Sequence, residues 1–506
     1  MKYSELMDFL NDIETKFPVD QWSVEEINIW PLLRIQLMFY LDGFNPYRQE
    51  DKRLIPQTIN GAKRLLQLWR GFTKYLYAFL ADYQHNDLPN HKADAIFLSH
   101  TTSRFFSVSG EKYDAFIEPM RKLLSERGMS CFSLEYAPKD EYRIPRFGKS
   151  MFIQPYLTFL RLINVLCPCK NRVLKNESSL NDFISFIQSH QHNIDLLNLA
   201  SIQRQARLIR WMANYFKRIF QRIRPTMGFV VSYYSIEGMA FNLACREFGI
   251  PSIDIQHGVQ NQFHPAYGRW HKIPQKGYAL LPKLFWCWSQ NEEKSISEWS
   301  SKVPSEHQAI AGGNLLLEMF KNEHNDLVKD FDRQILDMIK KNQSSINILV
   351  TLQTGHGLPE LIRQAIASSP DSWFWWLRLH PGMMIERNNV TRKLKKLSRK
   401  NWNLVQASNL PLYTILRNVD AHITECSSTI IEAEYFGVTS IIISEYGIEY
   451  FKDYITTGKS SAARTHEELV NAVRSIKENG KFLRSEISAY ASNNGINQLL
   501  SCLKIF

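Results

Sequence analysis

Residues Asp420–Ser444 read DAHITECSSTIIEAEYFGVTSIIIS. Two short apolar runs, Ala421 to Thr424 and Thr439 to Ile443, enclose a polar turn (Glu425 to Thr429), a helical stretch (Ile430 to Phe436) and Gly437. Neither run alternates polar with apolar, which is the pattern of strands covered on both faces. Gly437 stands where a helix end calls for a left-handed residue. The stretch therefore predicts a βαβ unit and with it a parallel sheet. Its helix opens on Ser427, Ser428 and Thr429. Hydroxyls and free backbone N–H groups at such a point suit a phosphate, and they equally suit plain helix capping by Ser427.

Working outward, the same alternation continues upstream. Ile346 to Leu352 and Trp373 to Leu379 read as strands, Pro359 to Ala367 and Val390 to Ser398 as helices. A first alternation occupies the earlier half. Its strands are expected at Ala95 to Leu98, Cys131 to Leu134, Gly228 to Ser232, Ile253 to Ile255, Phe285 to Trp288 and Gln308 to Ala311. Helices are expected at Tyr113 to Arg127 and Glu237 to Phe248. Asn261 to Leu281, rich in His, Gln, Pro and aromatics, reads as a long functional loop or lid. Two such series, parted near residues 315–340, predict two doubly wound α/β domains facing each other across a cleft. The boundaries drawn are a helical extension (1–90), a first domain (91–325), a second domain (326–460) and closing helices packing back (461–506). In the extension, Pro31 to Leu41 with Gly43 beyond reads as one helix. About Ala62 to Tyr83 reads as another, with basic and aromatic residues that suit a membrane surface or a packed helix.

Composition narrows the function classes. The 506 residues are 44% hydrophobic and 22% charged, as in an ordinary globular protein. A formal charge of +11 favours anionic partners. The basic run Arg392, Lys393, Lys395, Lys396, Arg399 and Lys400 lacks interleaved aromatic platforms, so it reads as a solvated helix face and no nucleic-acid partner is expected. The longest apolar candidate for a membrane span, Met151 to Cys167, is interrupted by Gln154, Pro155, Arg161 and Asn164. Glu5 and Asp8 break any signal-peptide pattern. Seven cysteines without CxxC pairs, and no Asp-rich cluster, predict reduced thiols, a cytoplasmic chain and no metal.

Four polar clusters fall at predicted strand ends: Ser232 to Gly238, Gln256-His257-Gly258, Arg378-Leu379-His380-Pro381, and the turn at Ser427. Ligands of open parallel sheets bind at the carboxyl ends of the strands. His100 follows the first strand in the same way, and Gln353 and Thr354 end the first strand of the second domain.

QHG (256–258), RLHPG (378–382) and SST with Glu432-Ala433 together resemble the GT-B glycosyltransferases of bacterial surface polysaccharide synthesis. They resemble in particular the capsule-synthesis enzymes and the CMP-sugar-using Kdo and sialic-acid transferases. The resemblance, over roughly residues 95–460, implies a GT-B fold and a metal-independent, inverting transfer. The donor would be a nucleotide sugar with a cytidine base, bound as substrate, with no cofactor. The acceptor would be a growing lipid-linked glycan, met at the inner face of the cytoplasmic membrane. Gln353, Thr354, Arg378, His380, Pro381, Ser427, Ser428 and Thr429 would hold the nucleotide, and Glu432 its ribose. The first domain would supply a general base, with Glu237 first, then His257, then His100. Ile236-Glu237-Gly238 partly resembles the acidic-acidic-Gly motif of bacterial sialyltransferases, with Ile236 in place of the first acid. Other readings of the same chain are a UDP-N-acetylglucosamine 2-epimerase-like isomerase, a CDP-polyol phosphotransferase of teichoic-acid type, and a non-catalytic scaffold.

Overall fold

The computed structural model describes residues 3–41, 66, 69–70, 73, 92–137, 145–167, 174–190, 198–322, 325–353, 357–478 and 492–502. Two parallel sheets carry the chain. The first contains β1 (Ala95–His100), β2 (Cys131–Tyr136), β3 (Met151–Phe152), β4 (Met227–Val231), β5 (Ser252–Ile255), β6 (Leu284–Cys287) and β7 (Gln308–Ala311). Their spatial order is β7-β6-β5-β4-β1-β2-β3, every pairing parallel. The second contains β8 (Ile346–Thr351), β9 (Trp373–Arg378), β10 (Trp402–Asn403), β11 (Ala421–Thr424), β12 (Thr439–Ile442) and β13 (Ser460–Ala462). Its order is β10-β9-β8-β11-β12-β13, again all parallel.

The strands are buried and mostly apolar because helices cover both faces. All five residues of β4, Met-Gly-Phe-Val-Val, are buried. In β9 the large indoles find partners: Trp375 Nε1 donates to Ser369 Oγ at 3.2 Å and Trp376 Nε1 to Asn347 Oδ1 at 3.2 Å. His422, fully buried on β11, is bonded on both ring nitrogens, to Thr351 Oγ1 (2.9 Å) and Ser440 Oγ (2.8 Å) on the flanking strands. Those bonds offset the cost of burying a polar ring.

In the first sheet the chain direction of winding reverses between β1 and β4; in the second it reverses between β8 and β11. Each reversal opens a crevice at the carboxyl ends of the two strands. His100 and Ser232 stand at the first crevice, Gln353 and the Ser427 turn at the second.

The βαβ unit of residues 420–444 forms with small shifts. Its helix is Thr429–Tyr435, and Gly437 follows with φ +66°. The helix expected from Tyr113 is Ile117–Ser125, because Glu111–Tyr113 pairs as a strand. Asp114 Oδ1 then accepts from the N–H groups of Phe116 and Ile117. The helix expected over about Ala62 to Tyr83 lies mostly outside the described residues.

Residues 3–41 share one hydrophobic core with the first sheet. Leu6, Leu10, Trp22, Trp30 and Leu33 are buried in the same cluster as Ile96, Leu98, Phe241 and Trp299. A fully buried ion pair joins Arg34 Nη1 to Glu14. Around it, Arg34 donates to the carbonyls of Pro265 (2.8 Å) and Gly268 (2.7 Å) and lies over the Trp270 ring. Glu14 Oε2 accepts from the backbone N–H of His271 at 2.6 Å. The segment Asn261–Leu281 is therefore no lid. It is pinned from beneath by these bonds and by the buried side chains of Tyr267, Trp270 and Tyr278.

At the other end, the helix His466–Glu478 packs on the helix Glu360–Ser368 of the second domain. The last helix, Ser492–Cys502, returns to the first sheet, where Ile496, Leu499 and Leu500 are buried.

Candidate functional site

A cavity of about 610 Å³ lies between the two crevices. From the first domain it is lined by His100, Tyr136, Ser232, Ser235 and His257. Two parallel-sheet domains thus face each other, with the switch points of both opening into one cleft. This is the GT-B arrangement.

His257 owes its place to Gln256. That side chain accepts from Trp288 N–H (2.6 Å) and donates to Gly258 O (2.8 Å), tying the loop after β5 to the end of β6. His257 Nε2 meets Ser232 Oγ at 2.9 Å and Tyr234 OH at 3.2 Å. Burial disfavours its charged form and pulls its pKa down to about 4. Ser232 itself has φ +65°, a costly conformation for a serine that is most often kept at functional sites. His100 caps the short 3-10 turn that follows β1. Its Nδ1 accepts from Thr102 N at 3.1 Å, and its ring lies edge-on to Tyr136.

From the second domain the cleft is lined by Gln353, Arg378, His380, Pro381, Ser427, Ser428, Thr429 and Glu432. The Gln353 amide donates to Cys426 O, locking the turn after β11 to the end of β8. Ser427 Oγ accepts from Thr429 N (3.2 Å) and meets Thr429 Oγ1 at 2.9 Å, so this serine does cap the helix. Ser428 behaves differently: its hydroxyl has no hydrogen-bond partner among the described residues. The capping reading thus describes Ser427, while Ser428 lines the cleft with its hydroxyl unbonded among the described residues.

His380 Nδ1 accepts from Gly382 N at 3.1 Å, with Pro381 starting a 3-10 turn. The crowding of the cleft walls and then the positive charge of Arg378 lower its pKa. Arg378 is anchored through Nη1 to Ala407 O (2.7 Å) and Leu410 O (2.5 Å). Burial lowers its pKa to about 10, opposed by the charge of Glu432.

Glu432 is buried rather than solvent-facing. Tyr413 OH donates to its Oε1 at 2.6 Å and accepts from Asn314 Nδ2 at 2.9 Å. Burial raises its pKa, while Tyr413 and Arg378 hold it down. Neither Tyr413 nor Asn314 was given a role from the sequence, though both line the cleft. No local pattern marks them, because Tyr413 reaches Glu432 across 19 positions of chain and Asn314 reaches Tyr413 across 99.

One expected residue stands elsewhere and one is not described. Thr354 lies outside the described residues. Glu237, the first choice for the base, does not line the cleft; its carboxylate is paired with Arg161. The reason is local. Ser235 Oγ accepts from Gly238 N (2.9 Å) and starts the helix Ile236–Phe248. A Cβ on Gly238 would come within 2.6 Å of Tyr233 O, so that turn of helix sits tight against the strand end. Ser235 then faces the cleft and Glu237 turns toward Arg161.

No protein-family model matches the sequence, and no curated protein matches it significantly. Among solved structures it is similar to the UDP-GlcNAc 2-epimerase of Neisseria meningitidis bound to UDP-GlcNAc. That match has 12% identity over 81% of this chain and 100% of that one, with a TM-score of 0.47. It is also similar to S. aureus MnaA solved with UDP (12% identity, 82% of this chain, 98% of that chain, TM-score 0.48). HepE of Anabaena, solved with UDP and glucose, is a third (11% identity, 82% and 100% coverage, TM-score 0.44).

Proposed function

We propose that the cleft binds a nucleotide sugar and that the protein transfers the sugar to a growing surface glycan, with a cytidine nucleotide as donor. What supports this is the convergence of Ser428, His380, Arg378 and Glu432 on one cavity whose opposite wall carries His257. Nucleotide and acceptor would enter from different domains and meet between them.

In this reading the Ser428 hydroxyl, His380 and Arg378 receive the phosphate next to the sugar. They offset the charge that develops on it as the glycosidic bond breaks. Glu432, fixed by Tyr413, accepts hydrogen bonds from the ribose hydroxyls. His257 takes the general-base role on the first-domain side, because it lines the cleft and its burial keeps it neutral. The acceptor hydroxyl would give up its proton to Nε2, directly or through Ser232, while attacking the anomeric carbon from the opposite face. The donor is consumed as substrate, and the reading includes no separate cofactor. The proposed acceptor is lipid-linked, which would bring the protein to the inner face of the membrane. Among the described residues no helix is long and apolar enough to cross it.

The test is a thermal-stabilisation screen of the purified protein with CMP-Kdo, CMP-sialic acid, UDP-sugars, GDP-sugars and CDP-polyols. Product masses from an acceptor panel follow. A cytidine compound should stabilise most. UDP-N-acetylglucosamine incubated alone separates transfer from epimerisation, and a product that keeps a phosphate identifies polyol-phosphate transfer. No stabilisation by any of these compounds would remove the nucleotide site.

A further inference from the structure

A second cavity, of about 220 Å³, adjoins the cleft and shares Thr102, Arg378 and Pro381 with it. Its lining includes Arg104, Lys112, Arg146 and Arg378, and no acidic residue. The carboxylate bonded to this group is Glu135, 1% exposed, which meets Arg104 Nε at 2.6 Å and Arg146 Nε at 3.3 Å. Asp114 and Glu118 act on Arg104 from further off, and burial pushes both toward their neutral forms. Lys112 has no carboxylate partner among the described residues, so the cavity carries an excess of positive charge.

The two arginines that bracket it are each fixed by bonds that leave Nη2 open. Arg104 uses Nε for Glu135 and Nη1 for the carbonyls of Lys112 and Phe147. Arg378 uses Nη1 for Ala407 O and Leu410 O. Among the described residues neither Nη2 has a partner. A guanidinium fixed through its other nitrogens and open at Nη2 is organised in advance to donate to a carboxylate or phosphate. Nothing in the proposed nucleotide site uses Arg104, Lys112 or Arg146.

We infer that this cavity is an anion site for a phosphate or carboxylate carried by a substrate whose remainder lies in the cleft. Two sources share that chemistry, the second phosphate of a nucleoside diphosphate donor and an acidic group on the acceptor glycan. Assigning the source rests on the nucleotide-sugar reading, whereas the anion site does not.

The experiment is a calorimetric titration of the full chain with inorganic phosphate at constant ionic strength, alone and with saturating CMP or UDP. Wild type should show one saturable site in the presence of CMP. Lys112→Gln, at the cavity rim and outside the core, should weaken it roughly tenfold, the worth of one charge-assisted hydrogen bond. Arg104→Lys keeps a cation beside Glu135 and removes the open Nη2, and should weaken it similarly. Both variants should bind CMP as wild type does. Displacement of phosphate by UDP but not by CMP assigns the site to the donor; indifference to both assigns it to the acceptor. Absence of saturable phosphate binding, or wild-type affinity in both variants, overturns the inference. Nucleotide binding without phosphate binding would remove this site and leave the proposed function standing. Phosphate binding with no nucleotide bound would do the reverse.

Discussion

Replacing Tyr413 with Phe removes one oxygen and tests how the cleft holds its buried carboxylate. That oxygen donates to Glu432 at 2.6 Å and accepts from Asn314 at 2.9 Å, and all three residues are buried. A hydrogen bond to a charged group contributes about 1.5–3 kcal/mol, and a neutral one about 1. The phenyl ring fills the same space without the hydroxyl, so little packing is lost. Tyr413→Phe should therefore destabilise the fold by about 2–4 kcal/mol, read as a lower denaturation midpoint in urea with an unchanged slope. The same bond holds the Glu432 pKa down against burial. Without it the carboxyl protonates at higher pH, and its bonds to a ribose weaken earlier on acidification. Nucleotide affinity of the variant should consequently fall more steeply on acidification than that of wild type. Equal stability, with parallel pH curves for nucleotide binding, would refute the role given to this chain of three residues.

Other outcomes follow from the same geometry. His257→Asn should lower turnover on the order of a hundredfold or more with nucleotide affinity kept, while Glu237→Gln, at the pair with Arg161, should leave turnover near wild type; the reverse result would restore Glu237 as the base. Arg34→Met leaves Glu14 charged and buried, so it should cost about 3–5 kcal/mol and open residues 265–272 to limited proteolysis. His422 is buried neutral, its pKa held down to about 3 against an ordinary value near 6.5. The unfolded chain takes up that proton below pH 6.5 and the folded chain refuses it, so stability falls as pH drops from there. His422→Gln should flatten the loss by about 1.4 kcal/mol per pH unit, measured as urea midpoints between pH 7 and 5.

The edge strands β3, β10 and β13, two or three residues long, carry too little pattern to be read, whereas the strands of four or more residues in both sheets were legible because buried parallel strands are short apolar runs and turn residues mark their ends. That is why His257, His380 and the Ser427 turn could be placed at the cleft from sequence. Two kinds of information were not local. The first is which way a residue turns once its helix has docked: Glu237 reads as a cleft carboxylate until Arg161, 76 positions earlier, takes it away. The second is partnership across the chain. Glu432 could be placed one turn into its helix, but not the Tyr413 hydroxyl, itself bonded to Asn314, that fixes its carboxylate. Nor could the sequence show that residues 261–281 are immobilised, because their anchors, Glu14 and Arg34, come more than two hundred positions before them.

The buried Arg34–Glu14 pair also sets a timetable. Arg34 leaves the ribosome 231 residues before Pro265, its carbonyl partner. At synthesis rates of about 5–20 residues per second, the apolar faces of residues 3–41 wait roughly 12–46 seconds for the segment that covers them. The first sheet waits longer still, because Ile496, Leu499 and Leu500 complete its core only after the second domain has been made. The first domain therefore stays unfinished while the second is being made, and a chaperone that shields aliphatic helices should raise the folding yield more than it would for a protein whose domains close in order.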